Sequence, residues 1–123
     1  MKILLQLQEK AIDCLDKIDL SKVRGLKFFL QRVIRGWDDS DTWNLDAEIA
    51  KFALPRLQRW RKIGMHIVPS DVLTAEEWSE ILDEIEWMLD CAANFSYPFD
   101  EEGNKRTERA CRLFGKYFPA LWD

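Results

Sequence analysis

Apolar residues recur along this chain at helical spacing and nowhere with the strict alternation of a strand. Over residues 2–18, Leu4, Leu7, Ala11, Leu15 and Ile18 share one face, with Lys10, Asp13 and Lys17 on the other. That is a first amphipathic helix. Asp19 or Ser21 is placed to cap a second, over about 20–36. Its stripe is Val23, Leu26, Leu30, Val33, Ile34 and Trp37, widened by Phe28 and Phe29. Gly25 inside it costs roughly 1 kcal/mol against Ala, which points to a close helix crossing. Gly36 is a C-terminal stop. Residues 37–44 then form a loop, from which Asp41, Thr42 or Asn44 can cap a third helix. Asp46 and Glu48 suit its first turn, and Ile49, Phe52, Ala53, Leu57 and Trp60 carry its apolar face. The periodicity continues past Pro55, so a kink near 51–55 is expected there and not a stop.

Residues 64–71 read as a connector, followed by the clearest local signal, Thr74 and Glu77 as a capping box. Trp78, Ile81, Leu82, Ile85, Met88, Leu89 and Ala92 line one face of a fourth helix, about 75–94. Pro98, Asp100 and Gly103 mark 94–104 as a loop. A fifth helix, about 105–118, carries Ala110, Leu113, Phe114, Tyr117 and Phe118 and is closed by Pro119. The last residues, 120–123, are too apolar for a loose tail and are expected to pack back. The pattern predicts an all-α fold: a single helical domain over 1–123, a mostly antiparallel bundle of about five helices, the third kinked at its proline.

Composition agrees with that picture. At 123 residues, 47 % apolar and 33 % charged, the chain is globular and large enough for one core. A formal charge of −4 argues against generic nucleic-acid binding. Charge is also sorted along the chain. The second helix carries Lys22, Arg24, Lys27, Arg32 and Arg35 with no acid, and residues 71–90 hold no base. The simpler explanation is that helices two and three neighbour helix four with complementary outer faces. The sharper one is a basic groove between helices two and three for a phosphate-bearing or acidic partner. Cys14, Cys91 and Cys111 have no metal spacing and are expected as buried free thiols in a reducing compartment. The N-terminal apolar run is too short for a signal peptide, and no stretch approaches a membrane span, so a cytoplasmic protein is expected.

Three groups of residues offer chemistry. Asp38, Asp39, Asp41 and Asp46 have oxygens for Ca²⁺ or Mg²⁺, but the glycine and terminal Glu of an EF-hand are missing. Capping and turn formation explain them more simply, and no metal is expected. Glu76, Glu77, Glu80, Asp83 and Glu84 resemble the first half of the Mg²⁺ site in all-α nucleotide pyrophosphatases, but no helix supplies the second half. His66, the only histidine, has no triad context and reads as a loop histidine. The best binding candidates flank and fill the third helix: Trp37, Asp38, Asp41, Trp43, Arg56, Arg59, Trp60 and Arg61. Trp and Arg dominate interface hot spots, and the same residues can stack a base and hold phosphates. The competing reading puts Trp43 and Trp60 in the core with the arginines solvated.

The order Gly36-Trp37-Asp38-Asp39-Ser40-Asp41-Thr42-Trp43-Asn44-Leu45-Asp46, then Leu54-Pro55-Arg56-Leu57, Leu73-Thr74-Ala75-Glu76-Glu77-Trp78 and Leu113-Phe114-Gly115-Lys116-Tyr117-Phe118 with Leu121-Trp122-Asp123, resembles a family of small, poorly characterised bacteriophage and prophage proteins. The resemblance spans about residues 35–123 and brings no catalytic residues with it. It implies a phage context, where small acidic proteins often bind host or defence machinery. The expectation is a non-enzymatic protein, without cofactor, that acts by binding a host protein, with inhibition of a host defence system as one form of that action. A homo-oligomer is the other partner considered. The alternatives are a nucleotide or small-molecule sponge and a metal-dependent nucleotide pyrophosphatase.

Overall fold

The structure, a computed structural model, describes residues 1–64, 67–72 and 74–121, all with their side chains except Ser21 and Arg24. His66, Leu73 and the final Trp122-Asp123, on which expectations were placed, lie outside the described residues. The all-α class holds: α1 (Lys2–Asp16), α2 (Arg24–Arg35), α3 (Leu45–Ile63), α4 (Ala75–Ala93) and α5 (Glu101–Tyr117). Short 3₁₀ turns lie at Ser21–Val23, Asp39–Thr42 and Phe118–Ala120. No strand occurs among the described residues, and none of their helices is long and apolar enough to cross a membrane. Five helices and no strand among the described residues fit the expected all-α bundle, within which the chain gathers into two compact units, residues 1–45 and 46–123.

In the first unit α1 and α2 pair as a helical hairpin, with Gln8 Nε2 donating to the Ile34 carbonyl at 3.1 Å. Ile12 and Leu15 are buried, but Leu4, Leu7, Ile18, Val23, Leu26 and Val33 stand exposed. The expected stripes are therefore only partly covered. An apolar arc wider than about 100° needs more than one neighbouring helix to bury it, and a hairpin supplies each helix with one. The second helix starts later than expected, with Val23 at its N-cap and no side-chain cap. Gly25 is exposed, and a Cβ there would meet nothing within 4 Å, so it serves no close crossing. Gly36 ends α2 as expected, at φ 84° with its N–H on the Arg32 carbonyl at 2.9 Å.

The second unit holds the main core. Ala50 and Leu57 of α3, seven buried side chains of α4 and Ala110 and Tyr117 of α5 are all shielded from solvent. Most of them form one cluster around Leu82, Ile85 and Leu89. Helix α3 continues through Pro55 without stopping. Thr74 caps α4, its hydroxyl accepting the Glu77 N–H at 3.1 Å. At the other end of α4, Phe95 sits at φ 53°, with the Ser96 N–H on the Cys91 carbonyl at 2.9 Å and the Phe95 N–H on Ala92 at 3.4 Å. That is a Schellman stop with Phe where glycine is usual. Helix α5 begins at Glu101, not 105, because Asp100 caps it by accepting the Gly103 N–H at 2.7 Å. Gly103 is buried there, and a Cβ on it would lie 2.5 Å from the Pro98 ring. Only Cys91 of the three free cysteines is buried; Cys14 and Cys111 are exposed.

Candidate functional site

The acidic loop is a counterion for α2. Asp38 is buried, and its carboxylate takes Arg32, the Ser40 hydroxyl and, at 2.8 Å, the Ser40 N–H. Asp41 accepts the Asp38 N–H at 3.0 Å and Arg32 Nη2 at 2.9 Å, completing a capping box on the 3₁₀ turn. Asp41 and Thr42, expected to cap α3, are spent on this turn; the Thr42 hydroxyl donates to the Asp39 carbonyl at 2.7 Å. Asp39 takes Arg35 at 2.6 Å and Gln31 Nε2 at 2.7 Å. The Gln31 Oε1 accepts the Asp39 N–H at 2.9 Å in return. Gln31 is fully buried, and the sequence reading passed over it. Its signal was a polar residue between Phe28, Leu30 and Ile34 on a helix with no acid of its own.

These contacts set the carboxyl equilibria. Burial pushes the Asp38 carboxyl up, but the Ser40 hydroxyl and N–H and the Arg32 guanidinium outweigh it and hold it below the ordinary range. Gln31, then Arg35, holds Asp39 low against the effect of burial. Asp38, Asp39 and Asp41 each engage both carboxylate oxygens with a cation, a hydroxyl or an N–H, so these three serve the turn and the α2 bases. Trp37 lies under the Arg35 guanidinium, 3.6 Å from its ring centroid. Trp43 meets Phe28 edge-on at 6.0 Å and remains exposed.

The other four candidates lie on α3 and divide by environment. Arg61 is an internal strut to α4: it reaches Asp83 and Glu86 at 2.8 Å each and the Ser79 hydroxyl at 3.0 Å. Burial opposes its charge, but Glu86 and Asp83 raise its pKa overall. This answers part of the charge sorting: Arg61 of α3 meets the acids of α4, whereas Arg56 of the same helix stays on Phe52. Lys27, Arg32 and Arg35 of α2 are instead met by Asp16, Asp38, Asp39 and Asp41. Arg59 is exposed. Arg56 lies over the Phe52 ring, 3.8 Å from its centroid, and donates to the Phe52 carbonyl at 2.8 Å. Trp60 is half-buried against the core. Arg56 and Trp60 share an apolar groove of about 290 Å³ with Phe52, Ala53, Leu57, Leu89, Phe114, Phe118 and Leu121. The sequence reading found its α3 wall but missed Phe114 and Phe118, which it counted as fifth-helix core.

The acidic face of α4 opens on a separate hollow of about 520 Å³, with Asp71, Glu77, Glu80 and Glu84 among its walls. Helix α5 answers that face with bases. Arg106 grips Glu84 at 2.9 and 3.0 Å and, with help from Arg109, holds its carboxyl low against desolvation. Lys116 at 2.9 Å and the Tyr117 hydroxyl at 3.0 Å hold Asp71 low in the same way. No group of three or more metal-ligating side chains converges among the described residues. Comparison with protein-family models, curated proteins and solved structures finds no match to this chain.

Proposed function

We propose that the chain works by gripping another protein and not by transforming a substrate, with the α3 groove as the grip. The observation that carries this reading is the groove itself. Phe52 and Phe118, 64 % and 63 % exposed, flank it, and Arg56 is stacked at its rim. An aromatic pocket beside a pre-stacked guanidinium has the residue types that anchor interfaces. The resemblance to small phage proteins supplies the context: a host protein as partner, a host defence as the target, the host cytoplasm as the place. The other readings have less support. The α2 arginines a nucleotide sponge needs for phosphates, Arg32 and Arg35, are already paired with aspartates. The pyrophosphatase needs a second set of carboxylates where α5 presents Arg106 and Arg109.

The test is capture from host lysate by the immobilised chain. Phe52→Asp and Arg56→Glu are expected to remove the captured band while the helical circular dichroism stays unchanged. Asp38→Asn, which disturbs only the other unit, is expected to leave capture intact. Capture that survives both groove substitutions overturns the assignment.

A further inference from the structure

The α3 groove carries charge that its own walls leave unanswered. Arg61 holds Asp83 and Glu86, Arg106 holds Glu84 and Arg112 holds Glu108. Arg56 and Arg59 hold no carboxylate among the described residues. Arg56 spends Nη1 on the Phe52 carbonyl, which leaves Nε and Nη2 for a partner. Glu48, one turn before Phe52, is taken by Lys51 at 2.8 Å. Phe52, Arg56, Arg59 and Ile63 recur at i, i+4, i+7 and i+11 of one helix and so share a face. Phe52 and Ile63, at its ends, are 64 % and 62 % exposed. Resting on the grip proposed above, we infer that its partner is an acid-rich segment of another protein. A bulky apolar side chain of that segment enters the hollow between Phe52 and Phe118. Carboxylates beside it pair with Arg56 and Arg59.

Size and charge choose this occupant together. The hollow of about 290 Å³ is smaller than the roughly 300–1,000 Å³ of small-molecule sites, so it suits one or two side chains. Two open guanidinium groups on its rim call for carboxylates, which they bind in forked pairs. Other covers fit less well. In residues 1–45, Ile3 and Leu7 are exposed at i and i+4 of α1, but Lys10 follows at i+7, a base where Arg59 needs an acid. The α2 stripe of Leu26, Phe29 and Val33 lies on a helix with no acid at all. A second copy docked groove to groove about a two-fold axis would gather four arginines. The acidic α4 face of a second copy lacks an anchor, because Trp78, Leu82, Ile85 and Leu89 are buried.

The probe is a displayed library of random peptides of about twelve residues, some three helical turns, panned on the immobilised full chain. Enriched peptides are expected to carry Asp or Glu within a turn of an aromatic or aliphatic residue, and to be lost on Phe52→Asp. Arg56→Glu and Arg59→Glu should each weaken the best of them about tenfold or more, with helical circular dichroism unchanged. Replacing the peptide's acid by Lys should restore binding to the charge-reversed chain. Phe52-dependent binders that lack acids, or that ignore Arg56→Glu and Arg59→Glu, overturn the inference and leave the groove as the grip. The absence of any Phe52-dependent binder overturns the grip as well. The chain's own Trp122-Asp123 also joins an aromatic to an acid. Trp122→Gly is expected to leave peptide affinity unchanged. A gain of about tenfold would make the chain's own end the occupant and overturn the assignment to a partner.

Discussion

Gln31 holds Asp39 at both ends, giving its amide to the carboxylate and taking the backbone N–H with its carbonyl. Replacing it with Leu strands two polar groups in a part-buried site. The expected cost is about 1–3 kcal/mol, read as a lower denaturation midpoint. Asp38 and Asp39 both have lowered carboxyl pKa values in the folded chain. Their stabilisation is therefore fully present above the ordinary carboxylate range and is lost as pH falls through their depressed values. The thermal midpoint should drop on acidification, and Asp38→Asn should start lower and show a smaller drop. A variant with the wild-type acid limb would contradict the assignment. Phe95 is the one described non-glycine residue at positive φ. An L side chain there costs roughly 1–2 kcal/mol, and the ring is exposed, so Phe95→Gly should raise stability by up to about 1 kcal/mol.

Among the elements, α4 was the most legible from sequence, because its apolar face is enclosed and its cap is a side chain at fixed spacing. Helix α2 shows the limit. Its stripe is as periodic as that of α4, yet Leu26, Phe29 and Val33 are exposed. Periodicity tells which residues share a face, and nothing in it says whether a neighbour covers that face. The start of α5 was misplaced because Asp100 and Gly103 are turn formers in isolation, whereas here the Asp100 carboxylate accepts the Gly103 N–H as an N-cap, and the close approach of Pro98 leaves room there for glycine alone. The groove was half legible: Arg56 and Trp60 are one helical turn apart, but Phe118 arrives from residues far along the chain. Helix α3 invites a test of its own. Pro55 is exposed and lies inside it, where proline removes a hydrogen bond to the turn before. A helix-interior proline costs about 3 kcal/mol, less up to about 1 kcal/mol returned by its stiffening of the unfolded chain. Pro55→Ala should therefore stabilise residues 46–123 by roughly 2 kcal/mol. An unchanged or lower melting temperature would mean that the proline-shaped backbone is required for packing.

At the scale of the whole molecule, apolar burial is distributed unevenly. The second unit encloses Trp78, Leu82, Ile85, Met88 and Leu89 in one cluster, whereas the first buries only Ile12 and Leu15 of its described apolar residues and adds a Lys27–Asp16 pair between α1 and α2, Arg–Asp pairs from α2 to the next turn and a buried amide. Ion pairs that are partly open to water contribute about 1 kcal/mol or less each, and screening by salt reduces that further. The two units should therefore not unfold together. Amide exchange is expected to be fastest across α1 and α2 and slowest across α4, with a denaturant curve in two steps. Added salt should move the earlier step to lower denaturant and leave the later one nearly still, because apolar burial, not charge, sets the second. A single cooperative transition, with equal protection in α2 and α4, would mean that residues 1–45 draw their stability from the rest of the chain and not from the ion pairs along α2.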